Sequence, residues 1–352
     1  MAIHQTRIGL ALSGGGIRAA LFHFGVLRFL AERKCLENIS CVSTVSGAGL
    51  GVSLILAKNN FLWPSSEAFV ESVLPPAMET VLGRDLQETL RRLYRLQPDV
   101  GLDILLAKAL EAEWGIRASL QDVDPALCWV INAVTFETGG NFRFTRQYMG
   151  EAQLGYALRP DFPVSTAVAV SAAYPLPLVS DFPSIGPHTL DMRPYQWHKE
   201  PVPGGNRPDG NCRPRSFCHL WDGGVYDNLG LEALYADGSL LRGLDFLIVS
   251  DASKPLTECV YTDGEPSQNE ARVWDISADR LNRTLIRDLL CNVTGKGKGA
   301  YIRIGKPAAY YPTTLAAPSK EAAAMLVQNG YESAQKALRT DQRMMAWSSC
   351  RS

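Results

Sequence analysis

The chain has little net charge and few charged residues. Its 352 residues contain 35 Lys and Arg against 36 Asp and Glu, a formal net charge of −1, and only 20% of residues are charged. A protein held on nucleic acid by bulk electrostatics needs an excess of positive charge, so we exclude nucleic acid as a partner. Because 46% of the residues are apolar, the composition is that of a globular protein and not of a disordered one.

The sequence also has no long apolar run, no long apolar segment among its first residues and no cluster of cysteines. The two charge-free stretches, 38–57 and 162–180, are interrupted by Ser, Thr, Gly or Pro, which is typical of buried α/β core and not of a membrane span. The first residues lack a long apolar segment, so we expect no export by that route. The eight dispersed cysteines favour reduced thiols and a cytoplasmic protein.

Two strand–turn–helix units follow each other at the start of the chain. Residues 7–12 form a short apolar segment, and residues 17–33 carry apolar side chains at the spacing of a core-facing helix. A β-prone segment at 39–45, a turn of small residues and an apolar helix at 52–57 repeat the pattern. This succession predicts a parallel sheet with helical crossovers. Further buried strands are expected at 128–134 and 246–250.

We expect one domain over residues 1–352, with a core of about 8–338 and two additions. Residues 65–121 are mostly helical, with leucines on one face and arginines among the solvated positions; they predict helices that cover the sheet, or alternatively a lid or a lipid-facing helix. Six prolines and four glycines between 185 and 215 predict a long surface loop without regular elements. Near the end, Ser319 is expected to cap a helix to Gln328, followed by another helix at 331–338.

The first turn contains three glycines followed closely by an arginine, in the stretch GLALSGGGIRAALF. Gly14, Gly15 and Gly16 between a strand and a helix bring bare backbone N–H groups close to something negative, as in a phosphate cradle or an oxyanion hole. The spacing does not fit the dinucleotide-binding pattern G-x-G-x-x-G, and no Gly-Lys-Ser/Thr closes the loop as in a nucleotide-binding P-loop. A tight structural turn is the alternative.

A serine follows the second strand in the stretch STVSGAG. Ser46 lies between an apolar strand and a run of small residues, which is the setting of a nucleophile elbow. Thr44 and Ala48 occupy the two positions where the usual G-x-S-x-G has glycine. A serine that only caps the following helix is the alternative interpretation.

An aspartate stands before two glycines in the stretch WDGGVYDNLGL. Asp222 follows apolar residues and precedes Gly223 and Gly224, so its carboxylate is expected at a strand end in partly apolar surroundings. Burial there should raise its proton affinity and make it a usable base. A common Asp-Gly-Gly turn without chemistry is the alternative.

The chain has only five histidines, and none stands in an evident triad position. His219 lies three residues before Asp222 and is the one candidate for a third catalytic partner. Cys212, Cys218 and His219 invite a zinc interpretation, but their spacing is not that of a standard ligand set. We therefore expect no metal and no cofactor.

Taken in order, the three motifs resemble the patatin-like phospholipase family. The resemblance implies a three-layer α/β fold with a mainly parallel central sheet flanked by helices. It assigns Ser46 as nucleophile, Asp222 as base and Gly14, Gly15 and Gly16 as oxyanion hole, supported by Arg18, Gly47, Gly223 and Gly224. The other stretches that agree are His23 and Gly25 in the first helix, INAVTFETG at 131–139, SAAYP at 171–175, IVSDAS at 248–253 and VQNGYESAQKAL at 327–338.

The same resemblance implies a lipid acyl hydrolase with a Ser-Asp dyad. It would cleave fatty-acyl esters of phospholipids through an acyl-enzyme, in transient contact with a membrane surface, while Arg18 holds the loop or a phosphate group. Three alternatives stay open: a serine esterase or thioesterase on soluble acyl groups, a catalytically dead membrane or signalling module of the same fold, and an enzyme that is silent until an unidentified ligand or partner activates it.

Overall fold

The strands form one large sheet and one small hairpin. The computed structural model describes residues 6–174, 186–200, 202, 205, 215–258 and 266–339. Its strands in chain order are β1 (Ile8–Leu12), β2 (Ile39–Val45), β3 (Cys128–Thr135), β4 (Asn141–Phe144), β5 (Tyr148–Glu151), β6 (Gly155–Leu158), β7 (His188–Asp191), β8 (Trp197–His198), β9 (Phe217–Asp222), β10 (Tyr235–Ala236), β11 (Ser239–Leu240), β12 (Phe246–Asp251) and β13 (Gly299–Arg303).

Helices fill most of the chain between these strands. They are α1 (Gly16–Glu32), α2 (Gly47–Ala57), α3 (Ser66–Ala68), α4 (Leu74–Gly83), α5 (Leu86–Leu96), α6 (Leu102–Ala109), α7 (Val164–Ser171), α8 (Gly224–Asp227), α9 (Pro266–Asn292) and α10 (Lys320–Leu338). Two π-helical segments, Phe69–Val73 and Leu110–Trp114, continue α3 and α6, and single 3-10 turns lie at Leu36–Asn38, Leu120–Asp122, Thr294–Lys296 and Ala308–Tyr310.

The central strands of the large sheet are parallel, as predicted. The order is β13-β12-β1-β2-β3-β4-β5-β6-β8, with β9 paired to both β3 and β7. All neighbours from β13 to β3 run parallel, whereas β3 to β8 form an antiparallel extension. Because parallel neighbours need crossovers, the helices cover both faces of this half, and the three-layer α/β prediction is confirmed.

Two hydrophobic clusters fill the space between the layers. The larger one joins α1, α2, α10 and the helices of 66–114 to one face of the sheet. The smaller one, which includes Val130, Leu231 and Leu247, lies on the other face and receives Leu285 and Leu289 from α9. The central strands are therefore buried from both sides, which explains why they are apolar without alternation.

Two local predictions are wrong. Residues 188–191 and 197–198 form strands in the segment predicted to lack regular elements; the rest of that segment lies partly outside the described residues. β7 forms because it pairs with β9 from His188 opposite Leu220 to Asp191 opposite Phe217, a non-local pairing that local composition does not reveal. At the carboxyl end, α10 is one continuous helix from Lys320 to Leu338, and Ser319 caps it, as expected, by accepting from the amide of Ala322 at 3.2 Å.

Candidate active site

Strands β2 and β9 end next to each other on the same edge of β3. Val45, the last residue of β2, is paired with Asn132, and Asp222, the last residue of β9, is paired with Ala133. Strand β4 occupies the opposite edge of β3, so β2 and β9 share the remaining edge and approach head to head. The residue after β2 and the last residue of β9 are thereby brought together, although 176 positions separate Ser46 and Asp222 in the sequence.

Ser46 occupies a strained turn between β2 and α2. Its backbone has φ 52° and ψ −120°, a conformation that an L-residue adopts only when its surroundings impose it. The Ser46 amide donates to Ser171 Oγ at 2.9 Å, and that hydroxyl donates in turn to the carbonyl of Asn132 at 2.7 Å. The side chain of Ser46 is partly exposed, so the turn presents a hydroxyl and does not bury it.

The Asp222 carboxyl is buried next to the Ser46 hydroxyl. Only 2% of the residue is exposed, and burial raises the pKa of the carboxyl to about 7 against opposing hydrogen bonds from Gly224 and Ser46. The Gly224 amide donates to Asp222 Oδ1 at 2.7 Å. Gly223 lies so close to β3 that a Cβ on it would be 2.4 Å from the Asn132 carbonyl oxygen, so a glycine is needed there.

Two amides of the glycine loop have no acceptor among the described residues. They belong to Gly15 and Gly16, whose φ angles are 143° and 60°. The Gly14 amide donates to the carbonyl of Asn228 at 3.1 Å, so Gly14 would have to give up this bond to act as the expected oxyanion donor. Gly14 nevertheless lies close to Ser46, because a Cβ on Gly14 would be 2.5 Å from Asn228 Oδ1 and 3.1 Å from Ser46 Cβ.

Neither histidine near the motifs assists this pair. His219 lies on the face of β9 opposite to Asp222, since side chains three residues apart in a strand point to opposite sides, and its Nδ1 lies 2.6 Å from Glu137 Oε1. A third catalytic role for His219 is therefore wrong. His23 is buried between Ser250 Oγ and the Ser13 carbonyl, at 2.9 Å from each, and burial lowers its pKa to about 4.

A cavity of about 340 Å³ opens beside Ser46 and Asp222. Gly14 and Gly15 line one side, and residues of α9, including Trp274 and Ile286, line another. Trp274 is hydrogen-bonded to Tyr174, whose pKa is raised to about 12 chiefly by burial. A hydroxyl, a buried carboxyl and the Gly15 backbone thus line one cavity that a small ester group can enter. In the described part of the chain, no three His, Cys, Asp or Glu residues are grouped so that they could hold a metal ion.

The comparison with protein families decides the assignment. The model of the family "Patatin-like phospholipase" matches residues 10–235, more than half of the chain. The chain belongs to the patatin-like phospholipase family. The resemblance inferred from the three motifs is confirmed, although no curated protein matches the sequence.

Solved structures share the fold of this patatin-like protein. Human GIVD cytosolic phospholipase A2 matches with a TM-score of 0.57 and 12% identity over 98% of this chain and 60% of its own. The same human enzyme in complex with methyl gamma-linolenyl fluorophosphonate and terbium chloride gives 0.53 and 13% identity over 99% and 60%. VipD from Legionella pneumophila gives 0.43 and 14% identity over 97% and 68%. The chain therefore spans about 60% of the human enzyme.

Residues beyond the family match hold the glycine loop of this patatin-like protein in place. Arg18, only 1% exposed, donates through Nε to the Ala252 carbonyl at 3.1 Å and through Nη1 to the Tyr311 carbonyl at 2.6 Å and Thr313 Oγ1 at 2.9 Å. Burial lowers its pKa to about 10. Of the two roles expected for Arg18, these contacts favour fixing the loop over binding a phosphate.

Segment 311–314, which we call the strap, also contacts the loop directly. The Ile17 amide donates to the Thr314 carbonyl at 2.9 Å, and Thr314 Oγ1 donates to Gln87 Oε1 of α5 at 2.7 Å. Sequence reasoning missed the strap and Gln87, since both lie far from the motifs. It also missed Ser171 and Asn132 as individual residues, although the stretches that contain them had been noted.

Across the described ranges, every helix falls short of the length or the apolar character that crossing a bilayer requires.

Proposed function

We propose that the chain is a lipid acyl hydrolase that works through a Ser46–Asp222 dyad. The observation that carries the proposal is the convergence of β2 and β9 on one edge of β3, which places the Ser46 hydroxyl next to a buried carboxyl in one cavity. Membership of the patatin-like phospholipase family supports a fatty-acyl ester of a phospholipid as substrate. We infer that the enzyme meets this substrate at a membrane surface, in transient contact.

In the first half of the reaction, Ser46 Oγ attacks the ester carbonyl while its proton passes to Asp222. A carboxyl with a pKa of about 7 is a far stronger base than an ordinary aspartate and is still half ionised at neutral pH. The negative charge that develops on the carbonyl oxygen is stabilised by the amides of Gly15 and Gly16. Asp222 then gives its proton to the leaving alcohol, and the acyl-enzyme remains.

In the second half, water replaces the alcohol and the same groups act in reverse. Asp222 takes a proton from the water, whose oxygen attacks the acyl carbonyl, and the two glycine amides again receive the oxyanion. Collapse of the intermediate returns the proton to Ser46 and releases a fatty acid. Arg18 acts at a distance in both halves, because its three hydrogen bonds keep the loop beside Ser46.

The test is fatty-acid release from phosphatidylcholine vesicles by the wild type, Ser46→Ala and Asp222→Asn. We expect background rates for Ser46→Ala and a loss of about 10²- to 10⁴-fold for Asp222→Asn. Ser53→Ala is the matched control, since Ser53 is a buried serine of α2 that donates to Leu50 O at 2.9 Å; it should keep its activity. Full turnover by both dyad variants would overturn the proposal.

Two further measurements separate the alternatives. Activity on short-chain p-nitrophenyl esters without release from vesicles would indicate an esterase on soluble acyl groups. Failure of a fluorophosphonate probe to label Ser46 in the folded wild type would indicate a dead module. If the wild type labels but hydrolyses slowly, the vesicle assay is repeated with cell extract, and a large gain would identify an enzyme that needs an activator.

A further inference from the structure

A second cluster of reactive groups lies at the opposite end of β2 and β3 from Ser46. Cys41 and Cys128 are register partners in these neighbouring parallel strands, so their side chains lie side by side on one face of the sheet. Paired residues in adjacent strands have Cα atoms about 4.8 Å apart, inside the range of about 4.4–6.8 Å that a disulfide spans. Along β2 the pair is roughly 17 Å from Ser46.

Arg242 completes the cluster. Its Nη1 donates to Cys128 Sγ at 3.3 Å, while Nε donates to the Ala233 carbonyl at 2.9 Å and Nη2 to Tyr148 Oη at 3.1 Å. These bonds fix a positive charge beside one sulfur atom. The backbone of Arg242 has φ 58°, an unusual conformation for a residue with a long side chain, so the guanidinium is held where it is by a turn that carries strain.

The two cysteines differ in burial and in proton affinity. Cys41 is 1% exposed, whereas Cys128 is a half-buried residue. The Cys41 thiol and the charge of Arg242 lower the pKa of Cys128 against the effect of burial, and burial raises the pKa of Cys41. By contrast, burial raises the pKa of Cys35 to about 11 and that of Cys218 to about 12.

We propose that Cys128 is a site of oxidation by hydroperoxides, with Cys41 as the resolving thiol. The Cys128 thiolate attacks one oxygen of the peroxide, so that an S–O bond forms, the O–O bond breaks and, with hydrogen peroxide, water leaves after taking a proton. Cys41 sulfur then attacks Cys128 sulfur, an S–S bond forms, and hydroxide leaves as water with the Cys41 proton. The two thiols lose two electrons, and the peroxide is reduced.

The cysteine site is inferred from contacts of Cys41, Cys128 and Arg242, none of which belongs to the Ser46–Asp222 pair. It therefore does not depend on the proposed hydrolase activity. Its covalent product would join β2, which leads to Ser46, to β3, which carries Asn132. We therefore expect the oxidised protein to resist unfolding more than the reduced one, because the cross-link closes a loop of 87 residues in the unfolded chain.

The experiment measures alkylation of each cysteine in the native protein by iodoacetamide between pH 5 and 8.5, with mass spectrometry of peptides. At pH 6.5 Cys128 should react about fivefold faster than the exposed Cys291, since a larger thiolate fraction outweighs lower intrinsic nucleophilicity. Its rate should rise with a midpoint below the ordinary thiol pKa of about 8.5. A Cys128 rate equal to or below that of Cys291 throughout this range would overturn the proposal.

Two variants and a peroxide treatment complete the test. Arg242→Met should move the midpoint upward, whereas Arg280→Met, which changes an exposed residue of α9, should leave it unchanged. Hydrogen peroxide at low molar excess should yield a peptide pair linked through Cys41 and Cys128, and Cys41→Ser should leave a sulfenic acid that dimedone traps. Absence of both products in folded protein would also overturn the proposal.

Discussion

Gly47 lies directly against the backbone of Gly16: a Cβ on Gly47 would be 2.1 Å from the Gly16 carbonyl oxygen and 2.5 Å from its nitrogen. The start of α2, beside Ser46, and the start of α1, in the glycine loop, are therefore in contact through backbone atoms alone. Since backbone cannot be moved aside as a flexible side chain can, this contact sets the distance between Ser46, the proposed nucleophile, and the glycine loop.

Gly47→Ala should consequently abolish most of the activity. The added methyl group must push the loop away from Ser46, and the loss of one oxyanion donor costs about 10²- to 10³-fold in kcat. Steady-state hydrolysis of phospholipid vesicles measures the effect, with circular dichroism to verify folding. Gly49→Ala is the control in the same helix, because its Cβ would meet no atom nearer than 3.7 Å. A wild-type kcat in Gly47→Ala would show that the contact does not matter for catalysis.

The raised pKa of Asp222 predicts the pH dependence of hydrolysis. Only the ionised carboxyl can accept the Ser46 proton, so kcat/KM should rise with pH through a midpoint near 7, where the pKa of Asp222 lies. Rates measured between pH 5 and 9, with the fold monitored at each pH, provide the test. A midpoint near 4, or no change over this range, would contradict the assignment of Asp222 as the base.

The same carboxyl should make the fold less stable above neutral pH. The pKa of Asp222 is raised from 3.8 to about 7 in the folded protein, so the folded state binds the proton more tightly than the unfolded state does. The free energy of unfolding therefore includes a contribution that is complete below pH 4 and is lost as the pH rises from 4 through 7. Asp222→Asn keeps the uncharged form and escapes this loss, which is worth about 4 kcal/mol at most. Urea unfolding at pH 5 and pH 8 should show that the free energy of unfolding of Asp222→Asn, relative to that of the wild type, increases with pH. The same difference at both pH values would contradict the raised pKa.

Gln87 should affect catalysis through the strap although it lies outside the cavity lining. Gln87→Met removes the acceptor of Thr314 Oγ1 and loosens the segment that holds Ile17 and Arg18, so kcat should fall about tenfold with a smaller change in KM. Gln97→Met is the matched control at the residue after α5, where the exposed side chain accepts from Lys108 Nζ at 2.9 Å. If Gln87→Met lowers stability but leaves kcat unchanged, the strap has no role in positioning the loop.

Gly330 allows α10 to lie against α1. A Cβ there would be 1.9 Å from the Phe22 carbonyl oxygen, so Gly330→Ala must force the helices apart and should lower the free energy of unfolding by about 1–3 kcal/mol. Gly83→Ala is the control, since its Cβ would meet nothing within 4 Å, and it should be neutral. Urea unfolding of the three proteins measures both effects. Equal stability of Gly330→Ala and wild type would show that the helices can separate at no cost.

Local patterns predicted the parts of the site that are local in the chain. Ser46 follows one short apolar strand, Asp222 ends another, and small residues come after both. Their meeting was not predicted by these local patterns, because it depends on β9 running antiparallel to β3 and approaching β2 head to head. The same reasoning placed free amides at the start of α1, because a glycine turn there leaves backbone donors without partners.

Contacts between distant segments could not be predicted in this way. The bond from the Gly14 amide to Asn228, the strand at 188–191 and the strap behind Arg18 all depend on partners more than 25 positions away. The continuity of α10 through Gly330 has the same origin, because contact with α1 compensates for the weak helix propensity of glycine. None of these distant partners produces a periodic pattern in the sequence around the residue that it contacts.

The position of β1 has a consequence for synthesis on the ribosome. β1 pairs with β12, from Ile8 opposite Phe246 to Leu12 opposite Ser250, so one edge of the first strand has no partner until residues about 240 positions later have been made. During translation the nascent chain exposes this apolar edge, which is a template for pairing between molecules. We therefore expect β1 to need protection from aggregation, by chaperones or by rapid completion of the chain, until β12 pairs with it.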